Sequence, residues 1–312
     1  MTELSELYGL ANVLPSSTAK HLNDVIDDIV SLPPGERSPN VRIWGDPNAT
    51  YIYINSFQMQ EMHWQGMTNV TAIDFYNSQL SRFPSFTGMT KLTHVGLTRY
   101  KFTVIPDLSR LVNLTSLYLD NGELETINGL EALVNLRYLN IWNNPLQSLP
   151  PINTLANLLT FSVHSNELTE LPELNGLFSV TNFYVYRNQL TSLPSLSAMA
   201  LLRYLYCYEN QLTSLPDLNA LSELYYLRCN DNQLTALPDL TGVEKLRYIY
   251  LHNNQLTAQA IDAILVQLAN TNTPSNGQLY YPGNPGASND QRSTAANAAK
   301  TTLTGRGWTI TA

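Results

Sequence analysis

Tyrosine recurs in this chain as a grid, at alternate positions within a group and at one fixed longer period between groups: Tyr184 and Tyr186, then Tyr204, Tyr206 and Tyr208, then Tyr226, then Tyr248 and Tyr250. Such a grid supplies large, rigid, amphipathic contact area whose phenols also donate and accept hydrogen bonds, which is the chemistry of a recognition surface. Tyr138 and Trp142 extend the grid toward the N-terminus, and Arg228 and His252 interrupt it with groups that can stack and hydrogen-bond. Groups for catalysis or metal binding are sparse. His94, His164 and His252 share the pattern but never occupy neighbouring units, so no pair converges on one ion. Asp74 and Asp120 stand two units apart, with no sign of the cleft and tuned acid that glycoside hydrolysis needs. No nucleotide-binding glycine loop, GxSxG or Cys/His pair occurs, so the sequence predicts no enzyme activity, no cofactor and no metal.

The elements that must hold this grid follow from nine apolar anchors, Val70, Leu92, Leu114, Leu136, Leu158, Val180, Leu202, Leu224 and Leu246, which recur with a 22-residue period and no slip. Aligned on them, further apolar columns run at +3, +5, +10, +13, +16 and +19, most clearly in LRYLNIWNNPLQSLP from Leu136, LRYLYCYENQLTSLP from Leu202 and LYYLRCNDNQLTALP from Leu224. Seven apolar columns in one period suit neither a single helix nor a single strand. They suit a coil of chain that shares its core with the coils on either side.

This pattern resembles the leucine-rich repeat family, LxxLxLxxNxL, over residues 41–282. The 22-residue length and the LP step look most like its bacterial, internalin-like class, also carried by phages. The resemblance implies an α/β solenoid: a leucine-rich repeat horseshoe with a parallel sheet on its concave side, short 3-10 or irregular segments on its convex side, and helical caps at both ends. It also implies that Asn144, Asn166, Asn188, Asn210, Asn232 and Asn254 point inward and satisfy backbone groups of adjacent turns. Gly122, Tyr100 and Ser78 stand where Asn is expected, which predicts irregular coils there. One further upstream unit, a single residue shorter than the rest, would put Ile52, Ile54, Met59 and Met62 in strand and turn positions.

Three parts are expected. Residues 1–40 form an N-terminal cap or docking segment, with Leu22, Val25, Ile26 and Ile29 on one face of a helix over 17–30 and a strand following near Val41 to Trp44. Residues 41–257 carry the repeats. Residues 258–312 form a C-terminal cap: a helix in AQAIDAILVQLAN with Ile261, Ile264, Leu265 and Leu268 inward, a strand near Leu279 to Tyr281, and a second helix around Ser293 to Leu303.

A net charge of −8 with 13% charged residues argues against nucleic acid as a partner. Cys207 and Cys229 share one inward column and read as two buried free thiols. No basic, then apolar, leader opens the sequence and no apolar run is long enough to span a bilayer, so membrane insertion is not expected. The cellular location stays open, with a virion or extracellular setting favoured over the cytoplasm.

Side chains alternate across a strand, so the positions flanking the inward LxL pair face outward. Of the 18 tyrosines, 14 fall on such positions, more than strand propensity alone requires. Ligand binding is therefore assigned to Tyr138, Trp142, Tyr184, Tyr186, Tyr204, Tyr206, Tyr208, Tyr226, Arg228, Tyr248, Tyr250 and His252. The function expected is non-catalytic recognition of a protein or glycan on a cell surface, or of a neighbouring virion subunit, as by a phage receptor-binding or surface component. The alternatives are a structural or decoration protein of a particle, and an intracellular effector scaffold.

Overall fold

A strand of three to five residues cannot bury an apolar face alone, and a stack of parallel strands solves the problem by repetition. The computed structural model describes residues 40–44, 50–55, 61–65, 68–288 and 292–312. It divides into two units, Met1–Pro145 and Leu146–Ala312. The helix expected over 17–30 lies outside the described residues.

In the first unit the strands Tyr51–Asn55, Ala72–Tyr76, His94–Thr98, Ser116–Asp120 and Tyr138–Asn140 pair in parallel, each with the next. Their register aligns Ile73, Val95, Leu117 and Leu139, all fully buried. The step from Tyr51 to Ala72 is shorter by a single position than the equal steps that follow it, as the sequence predicts. Two further parallel pairs join Asn40–Trp44 to Glu61–Gln65 and Val104–Ile105 to Thr126–Ile127, and a single 3-10 turn forms at Leu130–Ala132. The strand near Val41 to Trp44 thus forms. Met62, expected in a turn, lies instead in a strand, because its segment finds a partner in Asn40–Trp44. Met59 lies outside the described residues.

The irregularity expected around Tyr100 and Gly122 does not occur. Tyr100 is buried in the place of the missing Asn, stacks on Phe102 at 4.1 Å between ring centroids, and donates a 2.9 Å hydrogen bond to Asn144 Oδ1. Gly122, in the intervening coil, makes room for that reach: a Cβ there would sit 2.1 Å from Tyr100 Cε2. One long side chain and one absent side chain together replace two asparagines. The strands on either side keep their register.

The second unit carries seven parallel strands, Thr160–Ser162, Asn182–Tyr184, Tyr204–Tyr206, Tyr226–Arg228, Tyr248–Tyr250, Gln278–Tyr280 and Thr309–Thr311, again paired in chain order. Phe161, Phe183, Leu205, Leu227, Ile249 and Leu279 form one fully buried row. Cys207 and Cys229 sit beside it as buried free thiols, and burial pushes the Cys229 thiol well up.

Inside the turns runs a ladder of asparagines. Asn188 Nδ2 donates to the carbonyls of Val163 and Val185 at 3.0 Å each, while its Oδ1 accepts from the Leu168 N–H at 3.1 Å. Asn210 and Asn232 repeat the arrangement one and two units on, as Asn254 does beyond them. Before each comes a residue in the left-handed backbone region, Arg187, Glu209, Asp231 and Asn253 with φ between 51° and 55°, which turns the chain off the sheet.

The chain then leaves the repeat. Helix α1, Ala258–Asn270, starts at Thr257, whose side chain accepts from the Ala260 N–H, and buries Ile261, Ile264, Leu265 and Leu268 as the sequence predicts. Helix α2, Thr294–Gly305, is capped likewise by Ser293 and buries Ala296, Ala299 and Leu303. Arg292 ties the two together, pairing with Asp262 at 3.2 Å and bonding the Ala258 and Gly286 carbonyls.

Two substitutions probe this packing. Leu205→Ala should cost about 2–5 kcal/mol in denaturant unfolding, since its cavity lies in the middle of the core row. Gly122→Ala should cost about 1–3 kcal/mol by forcing the Tyr100 ring aside, and the buried environment of that ring should be lost in near-ultraviolet dichroism. A stability unchanged in either variant would contradict the packing described.

Candidate functional site

On each short strand of the second unit, the residues on either side of the buried one face away from the core. The register lays Asn182, Tyr204, Tyr226, Tyr248 and Gln278 in one row and Ser162, Tyr184, Tyr206, Arg228, Tyr250 and Tyr280 in the next. Strands about 4.8 Å apart bring aromatic rings of one row within stacking reach.

The rings use that reach. His164 stacks on Tyr186 at 4.1 Å and Tyr186 on Tyr208 at 4.4 Å, both with planes only 9° apart. The Arg228 guanidinium carbon then lies 4.5 Å from the Tyr208 centroid, 5.8 Å from that of Tyr206 and 5.5 Å from that of Tyr250. Tyr226 stacks on Tyr250 at 5.5 Å and on Tyr248 at 5.1 Å, and it meets Tyr206 and Tyr204 at 5.4 and 6.4 Å. Tyr184 meets Tyr206 at 5.0 Å. Tyr280 continues the face, 6.1 Å from Tyr250 and edge-on to His252 at 5.0 Å, and the Tyr250 phenol donates to Gln278 Oε1 at 2.9 Å.

In the parallel stacks the rings face one another along the sheet and point their edges outward. Tyr186 has a ring against each face, and Tyr208 has Tyr186 on one face and Arg228 on the other. All these tyrosines are half-buried. Burial raises the phenol pKa of Tyr184, Tyr206, Tyr208 and Tyr226, and with help from Tyr208 it pushes Tyr186 to about 12. These five phenols are therefore neutral hydrogen-bonding groups at any physiological pH. Burial, then the Arg187 charge, hold the His164 imidazole down at about 4, and burial also lowers His252.

The structure thus gathers ten of the twelve residues assigned from the sequence, Tyr184, Tyr186, Tyr204, Tyr206, Tyr208, Tyr226, Arg228, Tyr248, Tyr250 and His252, on one face of the second unit. Tyr138 and Trp142 belong to the first unit. The sequence puts His164 in the shared pattern and Tyr280 within the last expected strand, yet neither is among the twelve residues assigned to the site. Their columns, shared with Tyr186 and Tyr250, were the signal.

The first unit's outward face is different in kind. Asp74 accepts from the Tyr51 phenol at 3.0 Å and pairs with His94 Nε2 at 2.9 Å, lying over Gly96, where a Cβ would come within 2.0 Å of Asp74 Oδ1. Asp120 is largely sealed, its Oδ1 without a hydrogen-bond partner, and burial pushes its carboxyl up to about 7. Asp74 is satisfied within its own unit. Among the described residues no three His, Cys, Asp or Glu side chains group as they would around a metal ion, and no helix is long and apolar enough to cross a membrane.

Residues 135–158 match the model of the Leucine Rich Repeat family. No curated protein sequence is significantly similar to the chain. Among solved structures, it is similar to YopM, a leucine-rich effector protein from Yersinia pestis, with 19% identity over 92% of this chain and 77% of that one and a TM-score of 0.59. It is also similar to the functional domain of InlJ from Listeria monocytogenes, with 23% identity over 75% of this chain and 58% of that one and a TM-score of 0.49. The internalin InlF of Listeria monocytogenes gives 21% identity over 88% and 87% with a TM-score of 0.46. At such identities a structural likeness establishes the fold alone.

The His164 stack has a pH signature. Its folded-state pKa lies below the ordinary 6.5, so the contribution of the neutral ring is complete above about 6.5 and is lost as pH falls through about 4. Between those values the unfolding midpoint of the natural chain should fall more steeply than that of His164→Gln. Parallel pH profiles for the two would show that the ring does not titrate as described.

Proposed function

Because the chain is a leucine-rich repeat protein built of 22-residue units, we propose that it is a non-catalytic recognition protein that binds another protein through the tyrosine face of its second unit. One observation carries this reading: the rings are already locked to one another by stacking before any partner arrives. Side chains fixed in advance lose little conformational entropy on binding, and tyrosine and arginine are the residues that dominate binding hot spots.

The same geometry ranks the partners. A platform for sugars presents open ring faces to the apolar faces of the pyranose, whereas Tyr186 and Tyr208 have both faces covered. What these two rings leave outward is edge and neutral phenol, which suits peptide groups and the side chains of a protein. The partner protein belongs on a cell surface or on a neighbouring subunit of a particle, and the glycan expected from the sequence ranks below it.

A purely stabilising role for the grid is the second reading, favoured by how much of each ring is buried against its neighbours. The variant Tyr204→Ala/Tyr206→Ala/Tyr208→Ala separates the two. Each lost ring contact should cost about 0.5–1.5 kcal/mol beyond burial, so the melting temperature should drop while the cooperative transition, resting on Leu205 and its row, survives. In the recognition reading, labelled variant protein no longer binds the intact bacterial cells or purified surface proteins that retain the natural chain. Retention equal to that of the natural chain would leave the grid a stabilising device only.

A further inference from the structure

Among the described residues of the second unit, Arg228 is the only lysine or arginine on an outward strand position. Of the other cations of this unit, Arg187 pairs with Glu209, Lys245 with Glu223 and Arg292 with Asp262, Arg247 and Arg306 bond backbone carbonyls, and Arg203 and Lys300 stand exposed to solvent. The Arg228 side chain has no hydrogen bond and no carboxylate partner among the described residues, although its backbone carbonyl accepts from the Cys207 N–H at 2.9 Å. Its Nε is sealed from solvent without an acceptor, while the residue as a whole, only half-buried, still reaches the surface. Asn230 Oδ1 and His252 Nδ1, two residues beyond the ends of its own strand and of the next, are likewise sealed without partners.

Three tyrosine rings around the guanidinium compensate part of its lost hydration through their negative faces. They supply no acceptor for its N–H groups. An unpaired donor in such surroundings is costly, and the terminal N–H groups of the guanidinium, which unlike Nε are not sealed, remain for an incoming acceptor. The aromatic collar also excludes water, so a charge-assisted bond formed there is stronger than one made at an open surface. The planar fork of the guanidinium matches a carboxylate in two-point contact.

We infer that Arg228 is the anchor point of the tyrosine face and takes a carboxylate, the Asp or Glu side chain of a partner protein, whose flanking residues lie against the ring edges of Tyr206, Tyr208 and Tyr250. This rests on the recognition reading above. A protein acid is chosen over an acidic sugar because Tyr208, the ring nearest the guanidinium, has Tyr186 on one face and Arg228 on the other and so offers a ligand its edge and phenol.

A displayed library of random linear peptides, selected on the immobilised full chain, tests this. Retained peptides should share an Asp or Glu. Changing that acid to Asn or Gln should weaken binding about tenfold or more, as should Arg228→Gln in the protein. The peptide change leaves the protein untouched, so a folding defect cannot imitate it. Peptides that depend on Tyr206 and Tyr208 but share no acid and bind Arg228→Gln equally would overturn this inference and leave the recognition reading standing. No retained peptide that depends on those tyrosines would overturn both. Binding of oligogalacturonate that depends on Arg228, with no acidic peptide retained, would overturn the assignment to a protein acid.

Discussion

The interior amide of one asparagine per turn sets the geometry on which everything else in the second unit depends. Where the chain bends off the sheet, its N–H and carbonyl groups cannot pair within the ladder of strands, and buried backbone groups left unpaired are costly. Asn188 meets three of them at once, two carbonyls and one N–H, in its own turn and in the turn before. Because the amide has a fixed size, the distance and phase between consecutive turns are fixed with it. A regular stack of strands follows.

A regular stack is what makes the outward face possible. Tyr204, Tyr226 and Tyr248 come into line because Leu205, Leu227 and Ile249 beneath them do. With turns at one spacing, rings in successive turns fall at stacking distance, and the stacks hold their rotamers without help from a ligand. The same rings therefore both stabilise the sheet and prepare a binding surface, and their half-buried state serves both roles. The Tyr100, Gly122 and Asn144 arrangement in the first unit shows how strict the underlying requirement is. When an asparagine is absent, the inward polar position is filled by a phenol from another coil and the polar connection is kept.

Much of this was legible in the sequence because a repeat states its rules many times. The anchors from Val70 to Leu246 gave the period, the alternation around Leu205 gave the outward face, and Thr257 with Ile261, Ile264, Leu265 and Leu268 gave the helix after the last regular turn. What was not legible depends on single events. Tyr100 bonds a residue 44 positions away across a glycine, a relation that occurs once and so leaves no periodic trace. Met62 sits in a strand because of a partner segment upstream, which its own neighbours do not announce. The edge-outward setting of the rings depends on side-chain rotamers, and the isolation of Arg228 depends on which carboxylates fail to reach it. Neither is written in spacing.

The asparagine ladder also bears on how such a chain can change length. Each amide addresses its partners at fixed offsets of 3, 20 and 25 residues back. Removing or duplicating one whole repeat within the regular part returns every amide an equivalent partner, while any other length strands a row of buried groups. The one shorter step, from Tyr51 to Ala72, lies in the part of the array where these asparagines do not occur. The array is in this respect quantised: its tyrosine grid can widen or narrow by whole copies at small energetic cost, and by nothing in between.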